Sequence, residues 1–274
     1  MTFIANALNG LFDVLTAPFG GAAEWAVLVL SVVVGVLMLL LYKWSTDQER
    51  LVAARQVLTG RVYEMGLYQD HLGVLMKIQR DLALANLKYL RYTLPALAVI
   101  ILPMILILAQ LDARYGRRPF APGETTLLKV ALDDASRDLI PTVHLTAPAG
   151  VAVETAPLLD RAAGVAVWRL RAATAGSHEL GIRLGDRPPV TKTFHVGDGA
   201  PRFAAARQHE SLLRLLLNPA EAPLPADSPV REISLDVPHR DLVYAGVHTS
   251  WLVALIVFSL LAGLAVKDVF GVKF

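Results

Sequence analysis

Residues 25–42 read WAVLVLSVVVGVLMLLLY, residues 92–111 YTLPALAVIILPMILILAQL, and residues 247–266 VHTSWLVALIVFSLLAGLAV; none contains Asp, Glu, Lys or Arg. At ~1.5 Å of rise per residue, each run taken as a helix is long enough to cross a hydrocarbon core of ~30 Å. The chain therefore reads as an integral membrane protein with three transmembrane helices. The composition agrees: 54% of the 274 residues are apolar, with a mean hydropathy of +0.48, too high for an ordinary soluble domain.

The flanks set an expected orientation. Between the first two runs, residues 43–91 carry Lys43, Arg50, Arg55, Arg61, Lys77, Arg80, Lys88 and Arg91 against five acidic residues. The positive-inside rule puts that segment in the cytosol of an inner membrane. Residues 1–24 and 112–246 then lie outside, and the tail 267–274 inside. Arg114, Arg117 and Arg118 just beyond the second run oppose this assignment, but long translocated domains obey the rule weakly. No basic residue precedes Lys43, so 25–42 reads as a retained helix rather than a secretory signal.

Outside the apolar runs, four segments are distinguishable. In 1–24, Phe3, Ile4, Leu8, Leu11, Phe12 and Leu15 share a helical stripe; the segment reads as an amphipathic helix in the outer interface or a leader packed on the protein. In 43–91, Leu51, Leu58, Met65 and Leu72 recur every seven residues, as in a coiled coil. Both ends of that segment meet one membrane face, so a helical hairpin is expected, turning between Gly60 and Gly73, with the stripe docking a partner. In 112–200, Trp168/Leu170, Leu180/Ile182/Leu184 and Val190/Phe194/Val196 alternate with other residues between prolines and glycines, which predicts an immunoglobulin-like β-sandwich. Residues 201–246 contain a helix candidate (203–217), a Pro-rich linker (219–229) and a strand at Ile233, Leu235 and Val237, either returning to the sandwich or lying along the membrane. Pro95 and Pro103 predict a bend or hinge in the second membrane helix.

Chemistry is sparse. The chain has no cysteine, no phosphate-binding or nucleophile-elbow motif, and seven histidines without metal-ligand spacing. Neither an enzyme, a cofactor, a metal site nor a nucleic-acid partner is expected, the net charge being only +2. Ser177, His178 and Glu179 are adjacent on a strand pattern, where neighbours face opposite sides, so they make no triad. Asp133, Asp134 and Asp138 read as solvated loop residues. Polar groups at membrane depth are the better pointers, because each is costly there unless paired or wetted. These are Ser31, Thr93, Gln110, Thr249, Ser250 and Ser259, with Arg91 and Lys267 at the helix ends. They either satisfy themselves by backbone bonding and snorkelling or line a wet groove.

The order of parts resembles the YidC/Oxa superfamily of membrane protein insertases: an N-out helix, a basic and apolar helical hairpin, then two further crossings. The string Leu102-Pro103-Met104-Ile105-Leu106-Ile107, followed by Pro119-Phe120, is similar to the second core helix of the third subunit of the ER membrane protein complex, a relative of archaeal YidC-like proteins. The resemblance covers roughly residues 25–120 and 247–270 and leaves the β-domain as an insertion. It implies an insertase without covalent chemistry: Ser31, Arg91, Thr93, Gln110, Ser259 and Lys267 as candidates to line a hydrated groove, and nascent membrane proteins or a ribosome as partners of the hairpin. The alternative is a membrane-anchored scaffold bound to other membrane subunits, with the sandwich as its interaction module.

Overall fold

The computed structural model of this protein describes residues 2–68, 70–198, 202–209 and 220–272. They form two compact units, 1–27 with 106–252 and 28–105 with 253–274. The helices are α1 (Thr2–Thr16), α2 (Ala23–Ser45), α3 (Gln48–Leu67), α4 (Leu72–Leu111) and α5 (Trp251–Val266). Of these, α2 and α4 are long and apolar enough to cross a membrane; α5 is apolar but has 16 residues.

Residues 43–91 form the end of α2, all of α3 and the first part of α4, and differ from the sequence expectation in two respects. Asp47 caps α3 by accepting a hydrogen bond from the Arg50 amide at 3.2 Å, and the chain turns at Tyr68–His71. Gly60 and Gly66 stay helical, each at a local cost of about 1 kcal/mol relative to Ala. The heptad, however, does not survive the turn. Leu51 is buried and Leu58 and Met65 half-buried along α3, whereas Leu72 opens α4 and is 76% exposed. A change of chain direction resets helical phase, so a seven-residue recurrence carried across it has no common face. The second arm and the second apolar run are one 40-residue helix containing Pro95 and Pro103, which remove the amide donors owed to the carbonyls of Arg91 and Val99.

The third apolar run also begins differently. Asp241–Tyr244 (β10) and Val247–Ser250 (β11) pair antiparallel around Ala245 and Gly246, both at positive φ (51° and 82°). That two-residue turn matches the twist of paired strands. Thr249 and Ser250 are therefore strand residues, and the helix starts at Trp251.

In the other unit, two antiparallel sheets share one core. The first runs β3 (Val151–Val153), β5 (Val165–Ala172), β1 (Thr125–Leu132), β9 (Val230–Leu235), β8 (Ala206–Gln208), with β4 (Leu158–Asp160) also on β5. The second runs β2 (Val143–Thr146), β6 (Gly176–Leu184), β7 (Val190–Val196). Leu128, Val130, Trp168 and Leu170 from the first meet Leu180, Ile182, Phe194 and Val196 from the second. The alternating triplets thus supply the inward faces, as period-two patterning requires. Phe120, stacked on Phe194 with centroids 4.6 Å apart, enters the core from the chain just before β1. The strand left open by the sequence returns to the sandwich: β9 pairs with β1, Val130 opposite Ile233. Of the helix candidate 203–217, Ala206–Gln208 is strand instead, because it pairs with β9; its leucines lie outside the described residues.

One core-facing position departs from the apolar pattern. Lys192 takes the inward register of Phe194 and is 1% exposed. Its Nζ donates to the Ala204 carbonyl and to Glu221 Oε2, both at 2.6 Å, and Glu221 Oε1 accepts from the Thr193 amide at 3.2 Å. Burial pushes the lysine pKa down, opposed by the Glu221 carboxylate. The pair thereby ties residues 202–209 and 220–224 over β7. Removing one partner of such a pair strands the other. Lys192→Met is expected to destabilise the sandwich by about 3 kcal/mol, and Lys192→Met with Glu221→Leu by much less. Hydrogen-exchange mass spectrometry on β7 and β9 amides of the full chain measures both.

Candidate functional site

Three helices of the second unit enclose an apolar groove. α2 contributes Gly35, Met38 and Tyr42, α4 Ile100 and Met104, and α5 Ser259, Leu260 and Gly263, around a volume of about 380 Å³. Its geometry starts from small residues. A Cβ placed on Gly35 would overlap the backbone carbonyl of Ser259, and one on Gly263 would lie 3.7 Å from the Gly35 carbonyl. Small residues four apart let two helix backbones approach closely. Met38 and Met104 on the walls are unbranched and adaptable, suited to irregular apolar surfaces.

The candidates named from sequence fall in different places. Ser259 lines the groove, with its hydroxyl donating to the Ile256 carbonyl at 3.2 Å. Ser31 lies one turn before Gly35 on α2 and is fully buried. The Thr93 hydroxyl donates to the Tyr89 carbonyl at 3.0 Å, within its own helix, and Arg91 is exposed. Lys267 follows α5 and lines a separate open cavity together with Arg55 on α3. Gln110 is not with them: it belongs to the other unit and is engaged there. Periodicity marks polarity at depth but cannot say which helix face, or which partner, each group meets.

What surrounds Gln110 is a densely connected polar cluster, and sequence reasoning missed its centre. Arg114, in the π-helical turn Asp112–Gly116 that ends α4, is 3% exposed. Its guanidinium donates to the Gln110 carbonyl (3.0 Å), Gln110 Oε1 (2.6 Å), the Asn9 carbonyl (3.2 Å) and Asp13 Oδ1 (2.6 Å). Gln110 Nε2 donates to Asn9 Oδ1 at 2.9 Å, and the Phe12 ring lies 5.7 Å from the guanidinium carbon. The cluster fastens α1 to the end of α4. A signal existed: Asn9/Asp13 and Gln110/Arg114 are both four-residue polar pairs, each presenting one helix face.

Elsewhere, His178 Nε2 contacts the Thr174 carbonyl at 2.8 Å, and Asp134 pairs with Arg137 at 2.6 Å. Among the described residues no three His, Asp or Glu side chains converge as metal ligands. No family model, no curated protein and no solved structure matches this chain.

Two consequences are measurable. Gly35→Val sets a branched side chain against the Ser259 carbonyl and is expected to lower stability by about 2 kcal/mol or more, read as an earlier thermal midpoint in detergent; Val36→Leu, its neighbour in sequence, is expected to leave it unchanged. Arg114→Gln is expected to release α1, raising proteolytic cleavage between residues 7 and 16 by tenfold or more. Asp13→Asn, at a half-exposed partner, is expected to cost about 1 kcal/mol or less.

Proposed function

We propose that this protein is an insertase- or chaperone-like factor of a membrane, in which the groove between α2, α4 and α5 receives an apolar helix of a client protein. The observation that carries this reading is the groove itself: apolar, open on one side, floored by Gly35 and Gly263 and walled by Met38 and Met104. A client helix gains packing against small and flexible side chains there, the contacts that drive helix association where no hydrophobic effect operates. The similarity to the YidC/Oxa order of parts points the same way.

The membrane arrangement belongs to this proposal. α5 alone spans ~24 Å, short of a ~30 Å core. Helical hydrogen bonding continues beyond it, Phe270 N donating to the Val266 carbonyl. The end is a Schellman motif: Val272 N donates to the Lys267 carbonyl, Gly271 N to the Asp268 carbonyl, and Gly271 has φ +65°. Trp251–Phe270 then covers ~30 Å, which supports a third crossing. With the basic segment 43–91 in the cytosol, the sandwich and α1 lie outside. An immunoglobulin-like type for the sandwich belongs to the same proposal; what supports it is the strand order, β3/β4–β5–β1 against β2–β6–β7, read as D–E–B against C–F–G with β9 as strand A.

A hydrated conduit is not part of this proposal. Ser31 is buried, Ser259 and Thr93 bond to their own helices, and Gln110 is held by Arg114. Those satisfied polar groups favour the second reading, a membrane-anchored scaffold whose groove holds a permanent subunit.

Photo-crosslinking residues at Met38, Met104 and Ser259, in membranes carrying stalled nascent chains of small membrane proteins, decide between the two. Transient crosslinks to nascent chains, absent from a control residue at Leu37 on the next face of α2, are the expected result. Crosslinks only to a stable neighbour at those positions overturn the insertase reading and establish the scaffold.

A further inference from the structure

Helix α1 is amphipathic, and its polarity is turned inside out. Among its described side chains, Ala7, Leu11, Val14 and Leu15 fall at i, i+4, i+7 and i+8, one face of a helix, and all four are exposed, Val14 at 73%. The opposite face carries the contacts to the rest of the protein. Asn9 and Asp13 meet Gln110 and Arg114 there, Phe12 packs by the guanidinium, and Arg202 lies 3.8 Å from Asp13. A helix resting on a soluble domain buries its apolar stripe and offers the polar one to water. Here the order is reversed, so water is not the medium that suits the stripe.

The neighbours of α1 identify that medium. The end of α4 and the start of α2, within residues 106–252 and 1–27, share a unit with α1. Gln110 and Arg114, which hold α1, stand where the second apolar run ends. Residues 17–22 separate α1 from α2, and Gly20 at φ +51° breaks the helical path between them. Trp25, in the first turn of α2, is 67% exposed, and indoles are enriched at the level of lipid headgroups. Thus α1 is fastened where two apolar runs end. Asp13 is the single acidic or basic side chain in residues 2–23, and Arg114 pairs with it, so the stripe brings no charge to an apolar boundary.

We propose that the partner of this stripe is bilayer lipid: α1 lies between headgroups and acyl chains of the leaflet on the sandwich side, with Leu11, Val14 and Leu15 sunk roughly 5–10 Å into it. The proposal rests on the membrane reading of α2 and α4, not on insertion of clients. Two links carry the position of α1 to the sandwich. Arg114 binds α1 to the end of α4, and the Phe203 amide, from a residue of the sandwich core, donates to the Ala113 carbonyl at 2.7 Å. The helix therefore sets the height of the sandwich above the bilayer, as a float joined to it through one arginine.

The experiment is fluorescence quenching on the full chain in phosphatidylcholine liposomes. The chain has no cysteine, so Val14→Cys, Asp186→Cys and Ile101→Cys each carry a single bimane label. These positions report the stripe, an exposed turn of the sandwich and an exposed site within the second apolar run. At Val14, most of the fluorescence is expected to be lost to phosphatidylcholine bearing a nitroxide near the top of its acyl chain, and little to iodide in the buffer. At Asp186 the reverse is expected. Leu11→Asn with Leu15→Asn leaves the contacts to Arg114 in place and is expected to move Val14 from the lipid quencher to iodide. Unchanged lipid quenching in that variant overturns the proposal. Iodide quenching at Val14 equal to that at Asp186 overturns it too, since the stripe then faces water. Quenching by neither assigns the stripe to a second copy or another protein and overturns the lipid. Lipid quenching at Ile101 without it at Val14 sinks this inference and spares the membrane reading; none at either position sinks both.

Discussion

The absence of a side chain at residue 35 is the constraint on which the helical unit depends. The Ser259 carbonyl occupies the space a Cβ would take, so α2 and α5 meet backbone to backbone. Beside that contact, α4 supplies the third wall of the groove with Ile100 and Met104. Larger residues at 35 or 263 would push the axes apart and fill the same space. The groove therefore follows from packing of small residues at the contact between α2 and α5.

Arg114 imposes a comparable constraint on the other unit. A buried guanidinium costs several kcal/mol unless its donors are satisfied. Four acceptors meet it, two from Gln110 one turn back and two from α1. The turn at Asp112–Gly116 is π-helical, a wider winding that often accompanies a special side-chain placement. Phe12 covers the guanidinium from the side and is itself buried. Of the stripe read from the sequence, Phe12 is buried while Leu11 and Leu15 stay exposed at 55% and 40%.

How much of this was legible depends on which physical signal each element carries. The apolar runs and the period-two triplets were legible because burial dictates them directly: Trp168/Leu170, Leu180/Ile182/Leu184 and Phe194/Val196 all face the core. Lys192 was not, since it follows the same alternation but is admitted to the core only by Glu221, twenty-nine residues away. The Val247–Ser250 segment joins the third apolar run only because it carries no Asp, Glu, Lys or Arg, and the turn at Ala245-Gly246 gives it a pairing partner in β10. The heptad through Leu72 failed for a related reason: recurrence is a local count, and the turn at Tyr68–His71 is where the face is lost. Among the site candidates, Ser259 lies on α5 and Lys267 just beyond it, on separate cavities, whereas Gln110 is engaged by Arg114, a residue counted only for its charge.

These two constraints bear on the kind of membrane chemistry the chain can perform. A conduit for hydrophilic segments needs polar groups with unspent hydrogen-bonding capacity facing a common space. Here the hydroxyls of Thr93 and Ser259 donate to carbonyls of their own helices, and Gln110 is bound on both ends of its amide. The groove instead presents methionine, leucine and glycine, surfaces whose gain comes from shape matching with another apolar helix or chain. Such a lining offers packing surface to an apolar group and no free hydrogen-bonding partner to a polar one. Arg55 and Lys267 lie apart from the groove, on the separate cavity between α3 and the turn after α5, so the lining of the groove owes nothing to charge.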